Sequence, residues 1–134
     1  MKSMRFFALG VLLSSAYAVH AQTTQEPASN CTTDATNAQG ERKSCVGEAS
    51  VYRAPEGFVF AQTSLKGGLT KQNGSEKGCK VQWGDFVEII PGSKIEQPRT
   101  LTVQAYARSP KGHASGRGWA TCKYTVALSK YTTS

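Results

Sequence analysis

The chain has 134 residues, of which 16 are lysine or arginine and 9 are aspartate or glutamate, so its formal net charge is +7. This length predicts one domain and leaves room for little else. The positive charge favours anionic partners such as polysaccharide, nucleic acid or a lipid surface, although moderate net charge also serves solubility alone.

The chain begins with the features of a secretory signal peptide. Lys2 and Arg5 give a positive start, and residues 6–13 form a short apolar run. Cleavage after Ala18 or Ala21 fits the small residues at those sites, and the apolar run is much shorter than the ~20 residues of a membrane-spanning helix. We therefore expect a secreted or periplasmic protein, of bacterial type, with no transmembrane segment in the mature chain.

The next stretch, residues 22–43, is rich in Thr, Asn, Gln and Ser and has no periodicity, which predicts a flexible segment. Strands are then predicted where aromatic and β-branched residues cluster between turn residues, at 49–53, 58–65, 80–83 and 86–90. Residues 71–78 are polar and contain Asn-Gly, so they are expected to form an exposed loop.

The longest period-two alternation lies near the C-terminus, in residues 99–108 and 119–128. Small and apolar residues alternate with polar ones in both arms: Leu101, Val103, Ala105 and Ala107 in the first, and Ala120, Cys122, Tyr124, Val126 and Leu128 in the second. Such alternation predicts strands with one buried and one solvated face.

A basic, glycine-rich connection, residues 109–118, joins the two arms. We predict that the arms pair with each other as a hairpin. Since the buried residues must share a face, the register is expected to place Ala107 opposite Ala120 and Arg108 opposite Trp119, within reach of a cation–π contact.

Four cysteines, Cys31, Cys45, Cys79 and Cys122, follow the signal peptide, and an even number in an exported chain predicts two disulfides. The favoured pairs are Cys31–Cys45, which brackets a polar loop, and Cys79–Cys122. The main alternative pairs Cys45 with Cys122, in the immunoglobulin manner. No cysteine spacing suits a zinc site, so neither a metal nor another cofactor is expected.

Together these patterns predict an all-β fold: a small, disulfide-stapled antiparallel β-sandwich of six to seven strands, immunoglobulin-like or related. The expected organisation is a signal peptide at 1–21, a flexible N-terminal segment at 22–43 and a single sandwich domain at 44–134.

The basic connection is the predicted ligand site. After Glu96 the chain has no acidic residue. The N–H groups of Gly112, Gly116 and Gly118 are of a kind that forms an anion-binding nest, and long loops on rigid scaffolds often carry function. The predicted ligand-binding residues are Tyr106, Arg108, Lys111, His113, Arg117 and Trp119. The competing interpretations are a solvated loop, and aromatic rings covered by another segment.

Catalytic residues are few. His113 is the weak candidate for a general base, and a nuclease-like site would need Glu88 and a basic residue beside it. The sequence therefore predicts a non-catalytic binding domain for an anionic or glycan ligand or an envelope or host protein. The alternatives are a small secreted hydrolase using His113, and an inhibitor or structural envelope protein.

Overall fold

A computed structural model describes residues 24–131, and the predicted signal peptide, residues 1–21, lies outside this part of the chain. Nine strands are present in the described residues: β1 (Thr24–Gln25), β2 (Ala28–Thr32), β3 (Ser44–Val46), β4 (Ser50–Arg53), β5 (Phe58–Phe60), β6 (Lys66–Asn73), β7 (Glu76–Glu88), β8 (Glu96–Arg108) and β9 (Trp119–Lys130).

Strand β9 is the centre of one antiparallel sheet, which we call the β9 sheet. It pairs with β1 and β2 along one edge and with β5 and β6 along the other. Both flanking edges are interrupted. Pro27, which has no N–H to donate, separates β1 from β2, and a 3-10 turn at Gln62–Ser64 separates β5 from β6.

Strand β8 is the centre of the second sheet, the β8 sheet. It pairs with β3 and β4 on one side and with the whole of β7 on the other. Strands β7 and β8 are thus the long hairpin of the fold. The carboxylate of Glu88 holds their turn, because it accepts hydrogen bonds from the N–H groups of Gly92 (2.7 Å) and Lys94 (2.9 Å).

The core lies between the two sheets, with β8 facing β9. The inward residues of both central strands are buried as the alternation predicts: Leu101, Val103, Ala105, Ala107, Ala120, Cys122 and Val126. Phe60 is fully buried and its ring lies 6.1 Å from that of Trp83 at the wider end of the core. Tyr124 is half-buried and packs at the edge of this core.

The predicted pairing of residues 99–108 with residues 119–128 is wrong. Both edges of each strand are occupied by other strands, and the connection between them crosses from one sheet to the other. The two apolar faces that were expected to lie side by side in one sheet instead oppose each other across the core. The predicted contact between Arg108 and Trp119 therefore has no basis in the strand register.

Two further expectations about the chain are corrected. Residues 22–43 are not a flexible segment throughout, because β1 and β2 pair with β9. Residues 71–78 are not a loop, because β6 and β7 cover them except for a turn at Gly74 and Ser75. Edge strands with polar side chains on both faces lack the alternation that reveals a strand.

The disulfides join Cys31 to Cys45 and Cys79 to Cys122, which is the favoured pairing. Each connects one sheet to the other, with 6.0 Å between the Cα atoms of each pair. The predicted class is confirmed: the described chain is nearly all β, with two antiparallel sheets in a sandwich-like arrangement stapled by two disulfides.

Replacement of a core residue tests this packing. Leu101 is fully buried, so Leu101→Ala is expected to lower the free energy of unfolding by about 2–5 kcal/mol through lost burial and a residual cavity. The measurement is equilibrium denaturation of the oxidised protein. Val51→Ala, at a side chain that is 54% exposed, is the control and should change stability by less than about 0.5 kcal/mol. Equal losses of stability in the two variants would contradict the placement of Leu101 in the core.

Candidate functional site

The β8–β9 connection, residues 109–118, is docked against residues 33–43, which we call the cover. Thr33 forms two hydrogen bonds with Gly118. The Thr33 N–H donates to the Gly118 carbonyl (2.8 Å), and the Thr33 Oγ1 accepts from the Gly118 N–H (2.8 Å). Further backbone hydrogen bonds join the two segments along their length. The predicted anion nest is therefore without the Gly118 N–H, which is already used.

A buried hydroxyl group fixes this docking. Ser109 is fully buried, and its Oγ accepts a hydrogen bond from the N–H of Lys43 (2.8 Å) and lies 2.6 Å from Oγ1 of Thr36. Its own N–H donates to the Lys43 carbonyl (2.7 Å), and its carbonyl accepts from Ser75 Oγ (2.8 Å). The start of the connection is thus held by groups from two other parts of the chain.

The three predicted site residues of the connection are placed at its surface. His113 Nδ1 lies 3.0 Å from the carbonyl oxygen of Ala38 in the cover. Arg117 donates to a backbone carbonyl of the cover (3.3 Å), and its Nη1 lies 3.8 Å from a carboxylate oxygen of Asp34. Lys111 is exposed.

Tyr106 and Arg108 lie on the outer face of the β8 sheet, since they alternate with buried Ala105 and Ala107. The ammonium group of Lys80 sits 5.6 Å from the centroid of the Tyr106 ring. Arg108 Nη1 lies 3.7 Å from a carboxylate oxygen of Glu76 on the neighbouring strand.

Trp119 lies on the other side of the molecule. It alternates with buried Ala120 on β9, pairs with Thr32 and Asn73, and is 40% exposed. The structure therefore does not bring Tyr106, Arg108 and Trp119 into one surface, because β8 and β9 belong to different sheets whose outer faces point in opposite directions.

The nuclease-like arrangement is not formed. Glu76 at the start of β7 pairs with Arg108 beside the connection, while Glu88 is at the opposite end of this 13-residue strand, about 40 Å away at 3.4 Å per residue. Glu88 is also engaged in its own turn. No acidic partner from β7 reaches His113.

A different surface concentrates free positive charge. Lys66 and Lys71 on β6 pair with Thr125 and Thr121 of β9, and Lys123 lies between those threonines. Directly opposed residues share a face, so all three ammonium groups lie on the outer face of the β9 sheet, along about 14 Å of strand. We call this surface the lysine face. None of the three lysines forms an ion pair within residues 24–131.

Neutral hydrogen-bonding side chains and one aromatic ring complete the lysine face. They are Asn30, Thr32, Asn73, Trp119, Thr121 and Thr125. Sequence reasoning placed Lys123 on a solvated strand face but missed Lys66 and Lys71. Their contribution depends on β6 pairing with β9, and the strand predicted at 58–65 stops before both lysines.

An open cleft of ≈ 620 Å³ lies at one end of the lysine face. Its lining includes Glu26, Pro27, Ala28, Lys66, Lys123 and Tyr124. Gly67 lies opposite Tyr124 with φ of 120°, and a Cβ there would overlap the carbonyl oxygen of Lys123. Gly67 thus lines the cleft with backbone alone, and beside Gly68 (φ 146°), the next residue of β6, there is open space.

Burial raises the pKa of the Tyr124 phenol above its ordinary value of 10.0. The physical cause is loss of hydration, which disfavours the phenolate. The phenol of Tyr124, one of the residues that line the cleft, thus keeps its proton to higher pH than an exposed tyrosine does.

Comparison of the chain with protein-family models, with characterised proteins and with solved structures finds no match. The immunoglobulin-like assignment accordingly stays a prediction. Among residues 24–131 no helix has the length and apolar character needed to cross a bilayer. In the same residues no three His, Cys, Asp or Glu side chains are grouped as metal ligands would be.

The docking of the cover is tested by Ser109→Ala. This change leaves the Lys43 N–H without its acceptor in a buried position, so we expect the free energy of unfolding to fall by about 1–3 kcal/mol. Hydrogen exchange at the Lys43 amide should accelerate in parallel. Ser129→Ala, at an exposed position, should leave both unchanged, and similar effects of the two changes would contradict a specific role for Ser109.

The half-buried phenol gives a prediction for alkaline pH. Because the folded-state pKa of Tyr124 is raised, its contribution to stability is complete below the unfolded-state pKa near 10 and is lost as pH rises through the folded-state value. Tyr124→Phe should therefore lose less stability than the parent protein between pH 9 and pH 11, as measured by denaturation midpoints. Identical pH dependence would contradict this assignment.

Proposed function

We propose that this protein is an exported, non-catalytic binding protein that holds an anionic glycan on the lysine face. The observation that carries the proposal is the row of Lys66, Lys71 and Lys123, which have no carboxylate partner in residues 24–131. Clustered charges of one sign raise the local potential and attract ions of the opposite sign.

The contrast with the opposite side of the molecule supports this choice. On the β8 sheet, Arg108 faces Glu76 and Arg53 lies 3.2 Å from Asp85, so these two positive charges have acidic neighbours. Arg117 in the connection also has an acidic neighbour. The lysine face thus offers positive charge in excess of its acidic neighbours, which a surface kept soluble by mixed charges does not need.

The neutral side chains favour a glycan over a nucleic acid. Single-stranded nucleic acid is held by successive aromatic rings on which the bases stack. On the lysine face Trp119 is the exposed aromatic residue among those described, and its neighbours are threonine and asparagine side chains. Hydroxyl and amide groups match the many hydroxyl groups of a sugar chain, and one indole ring supplies an apolar platform for a sugar ring.

Export is supported by the N-terminal sequence and by the cysteines. Lys2, Arg5 and the apolar run after them have signal-peptide character, and both disulfides form within the described chain. An oxidising compartment outside the cytoplasm is where such bridges persist and where envelope or host glycans are met. The proposed location is therefore secreted or periplasmic.

The test is retention of the oxidised mature protein on immobilised heparin. The triple variant Lys66→Glu, Lys71→Glu, Lys123→Glu should bind at least tenfold more weakly, about 1.4 kcal/mol, and elute at lower salt. The control is Lys77→Glu, Lys80→Glu, Lys94→Glu, which changes net charge equally at exposed lysines outside the lysine face. It should elute close to the parent protein.

Three results would contradict the proposal. Equal losses in both triple variants would indicate an effect of net charge alone. If the double variant Lys111→Glu, Arg117→Glu no longer bound heparin while the lysine-face variant still did, the site would lie in the connection. Tighter, salt-matched binding to a single-stranded DNA oligomer than to heparin would favour a nucleic acid as the ligand.

A further inference from the structure

We propose that the cleft beside Tyr124 seats one acidic sugar unit, a pyranose carrying a single carboxylate, at one end of the lysine face. The inference rests on the proposed function, because it names the kind of sugar unit that the lysine face would select. Three features of the cleft carry it: its walls, its charge balance and its glycines.

The walls suit the ring of a sugar. The cleft volume of ≈ 620 Å³ lies within the ~300–1,000 Å³ range typical of small-ligand sites. Pro27, Ala28 and Tyr124 are among its lining residues and give it apolar surface against which the C–H face of a pyranose would pack. The phenol of Tyr124 is neutral near pH 7 and can both donate and accept a hydrogen bond.

The charged groups suit a monoanion. Lys66 and Lys123 line the cleft together with one carboxylate, Glu26, which gives the lining a net charge of +1. The two ammonium groups match a carboxylate, while the Glu26 carboxylate accepts hydrogen bonds from sugar hydroxyl groups. A dianionic phosphate seated in the cleft would meet repulsion from Glu26.

The glycines keep the cleft open. Gly67 occupies a backbone conformation that L-residues rarely adopt, and a Cβ at this position would collide with the β9 backbone. Gly68, opposite Lys123, also has positive φ, and open space surrounds the position of its missing side chain. Gly67, which lines the cleft, therefore accepts no side chain unless β9 shifts, and it contributes only backbone to this wall.

The test is an NMR titration of the oxidised mature protein with D-glucuronate, with D-glucose as the neutral match. Glucuronate at tens of millimolar should shift the amide signals of Ala28, Gly67 and Tyr124, and glucose should bind at least tenfold more weakly. Ala28→Leu fills the cleft and should abolish these shifts. Thr121→Leu, on the same face but outside the cleft, should leave them in place.

The outcomes separate this inference from the proposed function. Equal binding of glucose and glucuronate overturns the carboxylate preference. Absence of shifts at the cleft, with heparin retention intact, overturns the cleft site and leaves the lysine-face proposal standing. Cleft shifts that Ala28→Leu removes support the inference, and they do so even if heparin retention fails and the lysine-face proposal falls.

Discussion

The two disulfides that cross between the sheets are the constraint on which the rest of the structure depends. Facing sheets ordinarily pack about 10 Å apart, yet here the bridged Cα atoms are 6.0 Å apart in both pairs. The inward residues nearby are small, with Ala105, Ala107 and Ala120 all buried. Alanine contributes little apolar area, so covalent bridges of about 3–4 kcal/mol each replace large core side chains at this end. The larger residues, Phe60 and Leu101 among them, fill the opposite end.

The separation of β8 and β9 into different sheets determines where any ligand is held. Residues that are close in sequence, such as Arg108 and Trp119, end on opposite outer faces. Residues far apart in sequence, such as Lys66 and Lys123, lie on the same outer face. The connection, which is the most conspicuous basic segment of the sequence, is occupied by hydrogen bonds to the cover. A row of three lysines without ion pairs in the described residues lies instead on the β9 sheet, where the pairing of β6 with β9 sets the spacing of the lysines.

Three features could be predicted from the sequence: which side chains of the strongly alternating strands face inward or outward, the cysteine pairing and the fold class. Alternation in residues 99–108 identifies which side chains are buried but carries no information about what they pack against, so pairing within a sheet and packing between sheets look alike. Strand β2 was missed because its inward residues are Ser29 and Cys31, whose polarity and size do not stand out. The lysine face was missed for a related reason: it exists only after β6 has found its register beside β9.

Cys31 and Cys45 lie just before and just after the cover, and their disulfide also bears on the order of folding. Once this bridge has formed, the cover is a short closed ring even in an otherwise unfolded chain, with 14 residues of separation between its cysteines. Much of the loop-closure entropy is then removed before the sheets assemble. The Thr36 hydroxyl then reaches Ser109 as part of a preformed ring, and no long flexible segment has to be ordered at that step. Oxidation of this cysteine pair and attachment of the cover are therefore coupled.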